Sequence, residues 1–307
     1  MDCDPLPEFS IIIPTHNRYE KLRNLLESIN RLELKSLKEI IVVDDSDIKE
    51  DISSFSDGLK IRLISVDFRI YISHAKNLGL QAASTNLIFF IDDDNVVLES
   101  TFNFPIKLLS ENELIGAVCP SVLYRNDERI VWVYATPFKK HRWGHELIGR
   151  NQMRNYELEN LVMDIDALPN AFASRKDTLQ AVGGFNENLP IYNSAFLSFS
   201  LKKKGFRVIA HTGSFILHDV ELPSNFGFWA EHEIPDPIRV KIEIRDWFTF
   251  MKVVHSEERL FSIRAVIRSL SFILPNSAVY LLRGKKKKFE LVIKEIEGAL
   301  EGLKNTR

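Results

Sequence analysis

The amino-acid sequence predicts an α/β protein with a mostly parallel sheet flanked by helices and a C-terminal helical appendage. Over the first hundred residues, short apolar runs typical of buried strands alternate with segments of helical periodicity. Polar loops follow three of these runs, at Thr15–Arg18, Asp44–Ser46 and Asp92–Asn95. From Pro235 to Arg307 the pattern is that of helices alone, which separates the appendage from the sheet.

The individual elements follow from the spacing of the apolar residues. The predicted strands are Phe9–Ile13, Glu39–Val43, Ile61–Val66 and Leu87–Ile91. After the first strand, apolar residues recur at helical spacing at Leu22, Leu25, Leu26 and Ile29. Ser73 is expected to cap a helix that reaches Ala83. Because strands and helices alternate with connections of ordinary length, we expect a doubly wound sheet.

Three consecutive aspartates follow the predicted strand Leu87–Ile91. Alternate residues of an extended chain point the same way, so Asp92 and Asp94 converge while Asp93 turns aside. Two converging carboxylates need a cation, and their hard oxygen atoms suit Mg²⁺ or Mn²⁺. The alternative is an acidic turn that simply faces water.

Composition and charge exclude several classes of protein. The 307 residues are 45% hydrophobic and 27% charged, which is ordinary for a globular protein with a sizeable core. A formal net charge of −2 argues against nucleic-acid binding through bulk electrostatics. Cys3 and Cys119 form no disulfide or zinc pattern, so we expect a reducing compartment. We find no signal peptide and no apolar stretch long enough to span a membrane.

The three polar loops are expected to meet at the carboxyl edge of one sheet, where open α/β sheets bind ligands. There Asp45 can accept a hydrogen bond from a base or a ribose hydroxyl, although a turn or helix-capping aspartate is the alternative. Lys76 and a metal ion can neutralise a diphosphate, although a single helical lysine is more often solvated. Neither a dinucleotide-binding glycine motif nor a P-loop is present.

Several motifs in order resemble the family 2 glycosyltransferases of GT-A fold, the nucleotide-diphospho-sugar transferase superfamily. The likeness covers about residues 9 to 220, and its motifs are Ile11–Arg18, Ile41–Ser46, Ala75–Gly79, Phe90–Asp94, Phe172–Arg175, Val182–Glu187, Gly205–Val208 and His218. Each motif alone is weak, but together they occur in the order and spacing of that family.

The resemblance implies a donor site and a metal site. The nucleotide-sugar donor would be bound by Pro14, Thr15, Asn17, Arg18, Asp45, Lys76, Asn77, Asp92 and Asp93. The divalent cation, Mn²⁺ or Mg²⁺, would be bound by Asp92, Asp94 and His218. For His218 the alternative is a strand-end histidine with a structural hydrogen bond. Lys76 stands where the family commonly has arginine, so it keeps the charge without the bidentate geometry.

The catalytic base of the family is missing at its usual position. It is the aspartate of a Glu-Asp pair before the motif Gly205–Val208, and counting back places that pair on Asn193 and Ser194. A shift of one residue gives Ser194 and Ala195, so no carboxylate is found either way. The catalytic residue is therefore unknown from the sequence, and the candidate substitutes are Asp219, Glu221, Asp164 and Asp166. Otherwise the acceptor is anionic, such as a lipid phosphate, or the domain no longer catalyses.

The remaining segments suggest an acceptor region and a possible membrane contact. A glycosyltransferase domain is predicted at 1–234, with a nucleotide-sugar half at about 9–120 and an acceptor half at about 121–234, and the appendage at 235–307. Aromatic residues in Ser121–Asn170 suit a sugar or lipid-phosphate surface, or strands packed on the core. Pro223–Trp229 is an aromatic loop that can close over the site.

Helices are predicted in the appendage at Ile238–His255 and Glu257–Ile273, in a short segment to Leu282, and at Phe289–Leu303. The apolar stretch Phe261–Leu282 precedes Lys285–Lys288, a combination that suits an anionic membrane surface or helices packed on the catalytic domain.

These observations predict an inverting, metal-dependent glycosyltransferase that moves a sugar from a nucleotide-diphospho-sugar to a saccharide or lipid-linked acceptor. Such an enzyme would serve polysaccharide or glycolipid biosynthesis in the cytoplasm, or peripherally on the inner membrane face, and would not bind nucleic acid. One alternative is a nucleotide-sugar-binding protein that has lost catalysis. A nucleotidylyltransferase is the other, but it would need a glycine-rich, basic first loop that Pro14–Asn17 does not provide.

Overall fold

The structure is a computed structural model, and it describes residues 6–52, 55, 58–139, 144–222, 237–255, 267 and 287–304. The chain divides into two compact units. The first contains Met1–Glu187 and Ser194–Phe226, and the second contains Asn188–Asn193 and Gly227–Arg307. The sequence-based boundary near residue 234 stays a prediction.

The first half of the large unit is a parallel sheet. Its strands are β1 (Phe9–Thr15), β2 (Leu37–Asp44), β3 (Ile61–Ser65) and β4 (Leu87–Ile91). They pair in the order β3-β2-β1-β4, and every pair is parallel. The four predicted strands are therefore confirmed, with ends that move by at most two residues. All the carboxyl ends of these strands lie at one edge, which is where the predicted polar loops begin.

Further strands extend this sheet in both orientations. The longer ones are β5 (Asn95–Val97), β6 (Ile115–Tyr124), β7 (Asp127–Val133), β12 (Ala171–Arg175) and β13 (Arg207–His218). The short ones are β10 (Gln152–Met153) and β11 (Val162–Asp164), whereas β8 (Phe138–Lys139) and β9 (Gly144–His145) form a separate two-stranded antiparallel sheet. Strand β12 runs antiparallel to both β4 and β6, and β13 runs parallel to β6. Consequently β4, β6 and β13 all end at the edge that carries the polar loops.

Helices cover both faces of the sheet, as expected for a doubly wound fold. They are α1 (Tyr19–Asn30), α2 (Tyr71–Ala82), α3 (Asn103–Glu111), α4 (Lys176–Ala181) and α5 (Asn193–Lys203). Side chains of α1 and α3 pack with Ile11 and Phe89 on one face. Side chains of α2, α4 and α5 pack with Ile12 and Phe90 on the other. Alternate residues of β1 and β4 therefore serve opposite cores.

The predicted cap of α2 is wrong. The helix begins at Tyr71, and Ser73 is fully buried inside its first turn. Among the described residues, no side chain makes a capping hydrogen bond to this helix. The carboxylate of Asp45 accepts the backbone N–H of Ile70, the residue just before the helix, at 2.8 Å.

The smaller unit contains two long helices, α6 (Pro237–Val254) and α7 (Lys287–Lys304), which agree with two of the predicted helices. They pack closely, since a Cβ at Gly298 would lie 2.4 Å from the backbone oxygen of Lys241. The predicted helices between them and the aromatic loop Pro223–Trp229 lie outside the described residues. None of the helices that the structure describes is both long and apolar enough to cross a bilayer.

Candidate active site

The three polar loops meet at the carboxyl edge of the parallel strands. The backbone N–H of Asp45 donates to the carbonyl of Thr15 at 3.2 Å, and the Thr15 hydroxyl donates to Asp93 at 2.8 Å. The backbone N–H of Asn17 donates to the Ser46 hydroxyl at 2.7 Å. These bonds join the loops after β1, β2 and β4 into one surface.

A small pocket opens on this surface. Its walls include six of the residues predicted for donor binding, namely Pro14, Thr15, Arg18, Asp45, Asp92 and Asp93. The pocket is completed by His16, Arg69, Tyr71, Ile72 and Ala75, which the sequence analysis did not assign to a ligand. The motif resemblance did not reach Arg69 and Tyr71, because they stand just before the stretch that carries it.

Two residues beside this pocket have left-handed backbone conformations. Asn17 has a φ of 54° and Tyr71 a φ of 58°. Asparagine tolerates this region, and its amide exchanges hydrogen bonds with Asp47 at 2.7 and 2.9 Å. A tyrosine there costs energy, and such strain tends to persist where the surroundings fix the backbone for a function.

Asp45 lies deep in the pocket and is 6% exposed. One carboxylate oxygen accepts the N–H of Ile70, and the other lies 3.0 Å from the His16 ring. The Arg69 guanidinium is 3.8 Å away. Its role in binding a nucleoside stays a prediction, but its present bonds fix the start of α2 against the first loop.

Asp93 is the buried member of the aspartate triplet, with 1% exposure. Burial raises its pKa to about 7, although Arg18 and the Thr15 hydroxyl act in the opposite direction. The Arg18 guanidinium is 3.3 Å from Asp93 and 2.7 Å from Asp94, so it bridges the two carboxylates. Arg18 therefore offers a positive charge at the floor of the pocket.

Asp94 and His218 face each other across two strands that are distant in sequence. Strand β13 pairs with β5 so that His218 lies opposite Asn95, and His218 Nε2 is 3.5 Å from Asp94 Oδ1. Burial opposes ionisation of Asp94, but His218 and Arg18 outweigh it and lower the pKa of this carboxyl to about 2. A carboxylate and an imidazole so placed are suitable ligands for one divalent cation.

Asp92 is not part of the pair that Asp94 and His218 form. Its Oδ1 forms an ion pair with the Lys76 ammonium at 2.9 Å, and Lys76 is only 3% exposed. The ammonium also lies 5.9 Å from the ring centre of Phe172 and 5.8 Å from that of Phe185. Within the described part of the chain, no three histidine, cysteine or acidic side chains form a metal cluster. The residues nevertheless fit a cation held by Asp94 and His218, since such ions take several ligands from bound phosphates and water.

Asn77 makes its hydrogen bonds inside the protein. Its carbonyl oxygen accepts from the backbone N–H of Phe185 at 2.9 Å, and its amide donates to the carbonyl of Phe185 and to Glu187. Gly184, which precedes Phe185, has a φ of +72°. Asn77 thus joins α2 to a tight turn, and its predicted contact with the donor stays untested.

No carboxylate stands at the family position of the catalytic base. Asn193 donates to the carbonyl of Pro190 at 2.6 Å, and Ser194 follows it in the first turn of α5. Of the four substitutes, Asp219 is engaged by Arg125 at 2.9 Å and Glu221 is exposed. The Asp219 carboxylate is thus already occupied by the Arg125 guanidinium.

The other two substitutes lie far from His218. Asp164 and Asp166 form ion pairs with Arg207 and Lys202, at 3.0 and 2.5 Å. Asp164 pairs with Ile209 of β13, which lies beside Val118 of β6, whereas His218 lies beside Tyr124. Those two positions of β6 are six residues apart, or about 20 Å. Asp164 is therefore too distant to deprotonate an acceptor next to His218.

The predicted acceptor segment, Ser121–Asn170, contains both buried and exposed aromatic side chains. Tyr134 is 1% exposed and its hydroxyl accepts from the backbone N–H of Asn155, so it belongs to the core. Tyr156 is 80% exposed. Trp132 lies edge-on to the His218 ring, with 5.1 Å between ring centres. The segment His141–Trp143 lies outside the described residues.

Comparisons with known proteins agree with this arrangement. Residues 10–176 match the family model described as glycosyl transferase family 2. A GalNAc(5)-diNAcBac-PP-undecaprenol beta-1,3-glucosyltransferase of Campylobacter jejuni is 30% identical over 112 residues, which cover 34% of this chain and 36% of the relative. The O-antigen chain rhamnosyltransferase WbaN of Salmonella anatum is 21% identical over 66% of this chain and 63% of its own. The chain thus spans under two thirds of either relative.

Solved structures share the fold at low sequence identity. GalNAc-T7 with UDP, GalNAc and Mn²⁺ superposes with a TM-score of 0.61 at 15% identity, over 82% of this chain and 48% of its own. The mannosyltransferase PcManGT of Pyrobaculum calidifontis, in complex with GDP-Man and Mn²⁺, gives a TM-score of 0.57 at 16% identity. That alignment covers 100% of this chain and 91% of the other. The expected GT-A architecture is confirmed.

Proposed function

Because the chain belongs to glycosyl transferase family 2, we propose that it is an inverting, metal-dependent transferase. It moves a sugar from a nucleotide-diphospho-sugar to a saccharide or lipid-linked acceptor. The observation that carries this proposal is the pairing of Asp94 with His218 beside a pocket built from the loops after β1, β2 and β4.

Asp94 and His218 would hold a divalent cation, Mn²⁺ or Mg²⁺, with Asp92 near by on the same loop. The bound ion neutralises the diphosphate and so stabilises the charge that develops on the leaving nucleoside diphosphate. Mn²⁺ in two structures of the same fold supports this choice of cofactor.

The residues of the chain itself bind and orient the donor. Asp45, His16 and the half-exposed Tyr71 line the pocket and would contact the nucleoside. Arg18, which now pairs with Asp94, would offer its charge to a phosphate oxygen of the donor. Lys76 stays buried against Asp92 and holds that carboxylate in place.

Calorimetric titration with nucleotide sugars tests the donor site. We expect one of UDP-, GDP- or dTDP-sugar to bind in the presence of Mn²⁺, and binding to weaken at least tenfold without the ion. Asp94→Asn should abolish the effect of Mn²⁺, because it removes the charged ligand. Asp127→Asn is the matched control, since within the described part of the chain the ion pair of Asp127 is with Arg129, at the start of β7. Binding that ignores both Mn²⁺ and Asp94→Asn contradicts the proposal.

Two other functions give different assay results. A binding protein that has lost catalysis, the alternative favoured by Asn193 and Ser194, binds the donor but neither transfers nor hydrolyses it. A nucleotidylyltransferase releases pyrophosphate from a nucleoside triphosphate and a sugar phosphate. We expect slow donor hydrolysis with Mn²⁺ that Asp94→Ala abolishes, and no pyrophosphate release.

We also propose a peripheral contact with the inner membrane face, and an exposed apolar stripe on the C-terminal unit supports a contact with lipid. Helix α7 exposes Ile293, Ile296 and Leu300 by 40%, 45% and 53%, at a spacing that puts them on one side. The run Lys285–Lys288 precedes this stripe in the sequence. An apolar stripe beside lysines suits anionic lipid headgroups.

Co-sedimentation with vesicles tests the membrane contact. The protein should pellet with phosphatidylglycerol-containing vesicles and stay in solution with phosphatidylcholine alone. Ile296→Lys should release it, whereas Ile238→Lys, at a residue of α6 that is 61% exposed, should not. Equal pelleting of all three proteins would remove the stripe as the contact.

A further inference from the structure

Two basic side chains contact the aspartates after β4, and they differ in how freely they can move. Lys76 pairs with Asp92 at 2.9 Å, and its side chain is only 3% exposed. Arg18 pairs with Asp94 at 2.7 Å, and 47% of its side chain is exposed. Because a half-exposed side chain can change rotamer without disturbing the core, Arg18 is the cation that can leave the aspartates.

The backbone of Arg18 is fixed, although its side chain is not. Arg18 stands just before α1, and its carbonyl accepts the backbone N–H of Leu22 at 3.0 Å. The guanidinium lies 3.3 Å from Asp93 as well as 2.7 Å from Asp94, and Arg18 also lines the donor pocket. A rotation about side-chain bonds therefore moves the guanidinium from the aspartates towards a ligand in that pocket.

The two carboxylate oxygens of Asp94 have different neighbours. Oδ1 lies 3.5 Å from Nε2 of His218, whereas Oδ2 accepts from the Arg18 guanidinium at 2.7 Å. Arg18 thus occupies half of this carboxylate and places a positive charge next to any ion bound between Asp94 and His218. Because like charges repel, the guanidinium and a divalent cation compete for Asp94.

We propose that Arg18 couples the cation site to the donor pocket, because it holds Asp94 until a donor phosphate takes over the guanidinium. The proposal rests on the proposed transferase function and gives Arg18 a positioning role in it. In the protein without a donor, Arg18 is the counter-ion of Asp94 and weakens the binding of Mn²⁺. When a nucleoside diphosphate enters, the guanidinium forms charge-assisted hydrogen bonds with phosphate oxygens, and Asp94 becomes fully available to the ion.

This exchange makes the nucleotide and the ion bind cooperatively. Because coupling between two sites is reciprocal, the factor by which the nucleotide strengthens Mn²⁺ binding equals the factor by which Mn²⁺ strengthens nucleotide binding. Direct contact between the ion and the phosphates adds to this factor whether or not Arg18 is present. The part that is due to Arg18 is therefore measured by removing the guanidinium and comparing Mn²⁺ binding with and without the nucleotide.

Titration of Mn²⁺ into the intact Arg18→Gln variant tests the coupling. Free Mn²⁺ is measured by electron paramagnetic resonance, with and without a saturating amount of the nucleoside diphosphate that binds best. Without the nucleotide, Arg18→Gln should bind Mn²⁺ about tenfold more tightly than the parent protein, because Asp94 has lost its competing counter-ion. With the nucleotide, the two proteins should bind Mn²⁺ with affinities that agree within about twofold, because the parent guanidinium has then left Asp94.

Lys21→Met separates the contact from the charge. Lys21 favours the ionised form of Asp94 through its charge, while its ammonium donates to the backbone oxygen of Asp219 at 2.7 Å. Removal of this charge should strengthen Mn²⁺ binding by a similar small factor in both conditions, because the ammonium stays with Asp219 whether or not the pocket is filled. Only the effect of Arg18→Gln should disappear when the nucleotide is present.

Arg69→Gln is the matched control for the loss of an arginine from the pocket. Its side chain is 45% exposed, close to the 47% of Arg18, but the Arg69 guanidinium lies 3.8 Å from Asp45. This variant should bind Mn²⁺ alone with an affinity within about twofold of that of the parent protein. Arg18→Lys guards against misfolding, because it keeps the charge without the planar fork and should bind Mn²⁺ with an affinity between those of the parent protein and Arg18→Gln.

The outcomes separate this proposal from the transferase function. The coupling is overturned if Arg18→Gln binds Mn²⁺ alone no more tightly than Lys21→Met does, or if its tighter binding persists with the nucleotide. In either case, a donor that still needs Mn²⁺ to bind leaves the transferase function standing. If no nucleotide binds at all, the transferase function and the coupling both fail, and tighter Mn²⁺ binding by Arg18→Gln then shows only a counter-ion at an isolated cation site.

Discussion

The carboxylate of Asp246 accepts the backbone N–H of Ile191 at 2.9 Å, from a side chain that is fully buried. Arg245 contacts the other carboxylate oxygen at 2.6 Å and donates to the backbone oxygen of Asn188. Helix α6 thus holds the six residues that lead into α5. Both partners belong to the second unit, whose segment Asn188–Asn193 precedes the family position of the base in the sequence.

We expect Asp246→Ala to lower the free energy of unfolding by about 3 kcal/mol, because it removes the acceptor of the Ile191 backbone N–H and the carboxylate partner of the half-buried Arg245. Urea denaturation followed by far-UV circular dichroism measures the loss. Asp127→Ala breaks an ion pair at an exposed site and should change little. Equal midpoints for the two variants would show that the Asp246 bonds contribute no net stability.

Lys76 should not be replaceable by arginine, although the charge is the same. The ammonium is enclosed by Asp92, Phe172 and Phe185, so a guanidinium must displace them and should cost about 1–3 kcal/mol of stability. Lys76→Met should fold, but it leaves the Asp92 carboxylate without its positively charged partner. The affinity for the donor should therefore change about tenfold. Thermal unfolding and donor titration measure the two effects.

Lys38→Met is the control for that pair of variants, because Lys38 is half-exposed and, among the described residues, its ion-pair partner is Glu8. It should match the parent protein in both measurements. If Lys76→Arg is as stable as the parent protein, the side chains around Lys76 can rearrange around a guanidinium at little cost.

Stability should fall as the pH rises from about 4 to about 7. The pKa of Asp93 is raised by burial from 3.8 to about 7, so the folded protein holds a proton that the unfolded chain has lost in this interval. The folded state is therefore favoured at the acid end, by up to about 4 kcal/mol, and the effect is constant above pH 7. Asp94, with a pKa of about 2, adds its own dependence only below pH 4.

Urea denaturation at pH 5 and pH 8, with EDTA present, measures this slope. Asp93→Asn cannot ionise and should remove that part of the slope while keeping the hydrogen bond from Thr15. If the variant keeps the slope of the parent, another group is responsible.

Gly184→Ala should destabilise the protein more than Gly183→Ala. Both glycines have a positive φ, 72° and 85°, so each substitution carries a backbone cost of about 1 kcal/mol. Only the Cβ at position 184 would collide, 2.7 Å from the Asn77 carbonyl oxygen. The difference in unfolding free energy between the two variants isolates the Asn77 contact.

The double variant Asn77→Ala/Gly184→Ala completes that test. Its loss should be smaller than the sum of the single losses, because the collision disappears with the amide. Additive losses would mean that Asn77 and the turn act independently.

The sheet edge was predictable because its strands are buried on both faces. Leu87–Ile91 has the predicted bounds, since all five residues are buried and polar residues flank them. A run of this kind is apolar throughout, so its composition already indicates that both of its faces are buried. The family motifs then placed the loops after β1, β2 and β4 together.

Contacts between residues that are far apart in the sequence were not predictable. His218 reaches Asp94 only because β13 pairs with β5 in one register, and the composition of neither strand specifies it. Lys76 was expected near phosphate, but Phe172 and Phe185 enclose it against Asp92. The sequence pattern likewise gave no sign that Arg150 would lie over Trp132, because side-chain stacking leaves no periodic signal.

The hydrogen bonds that α6 makes to the segment Asn188–Asn193 limit how this protein can change in evolution. A recombination that exchanged the chain from Pro237 onward would strip Ile191 of its buried hydrogen-bond acceptor. The chain from Pro237 onward and the segment Asn188–Asn193 must therefore be inherited together. Lineages that changed one would carry compensating changes in the other.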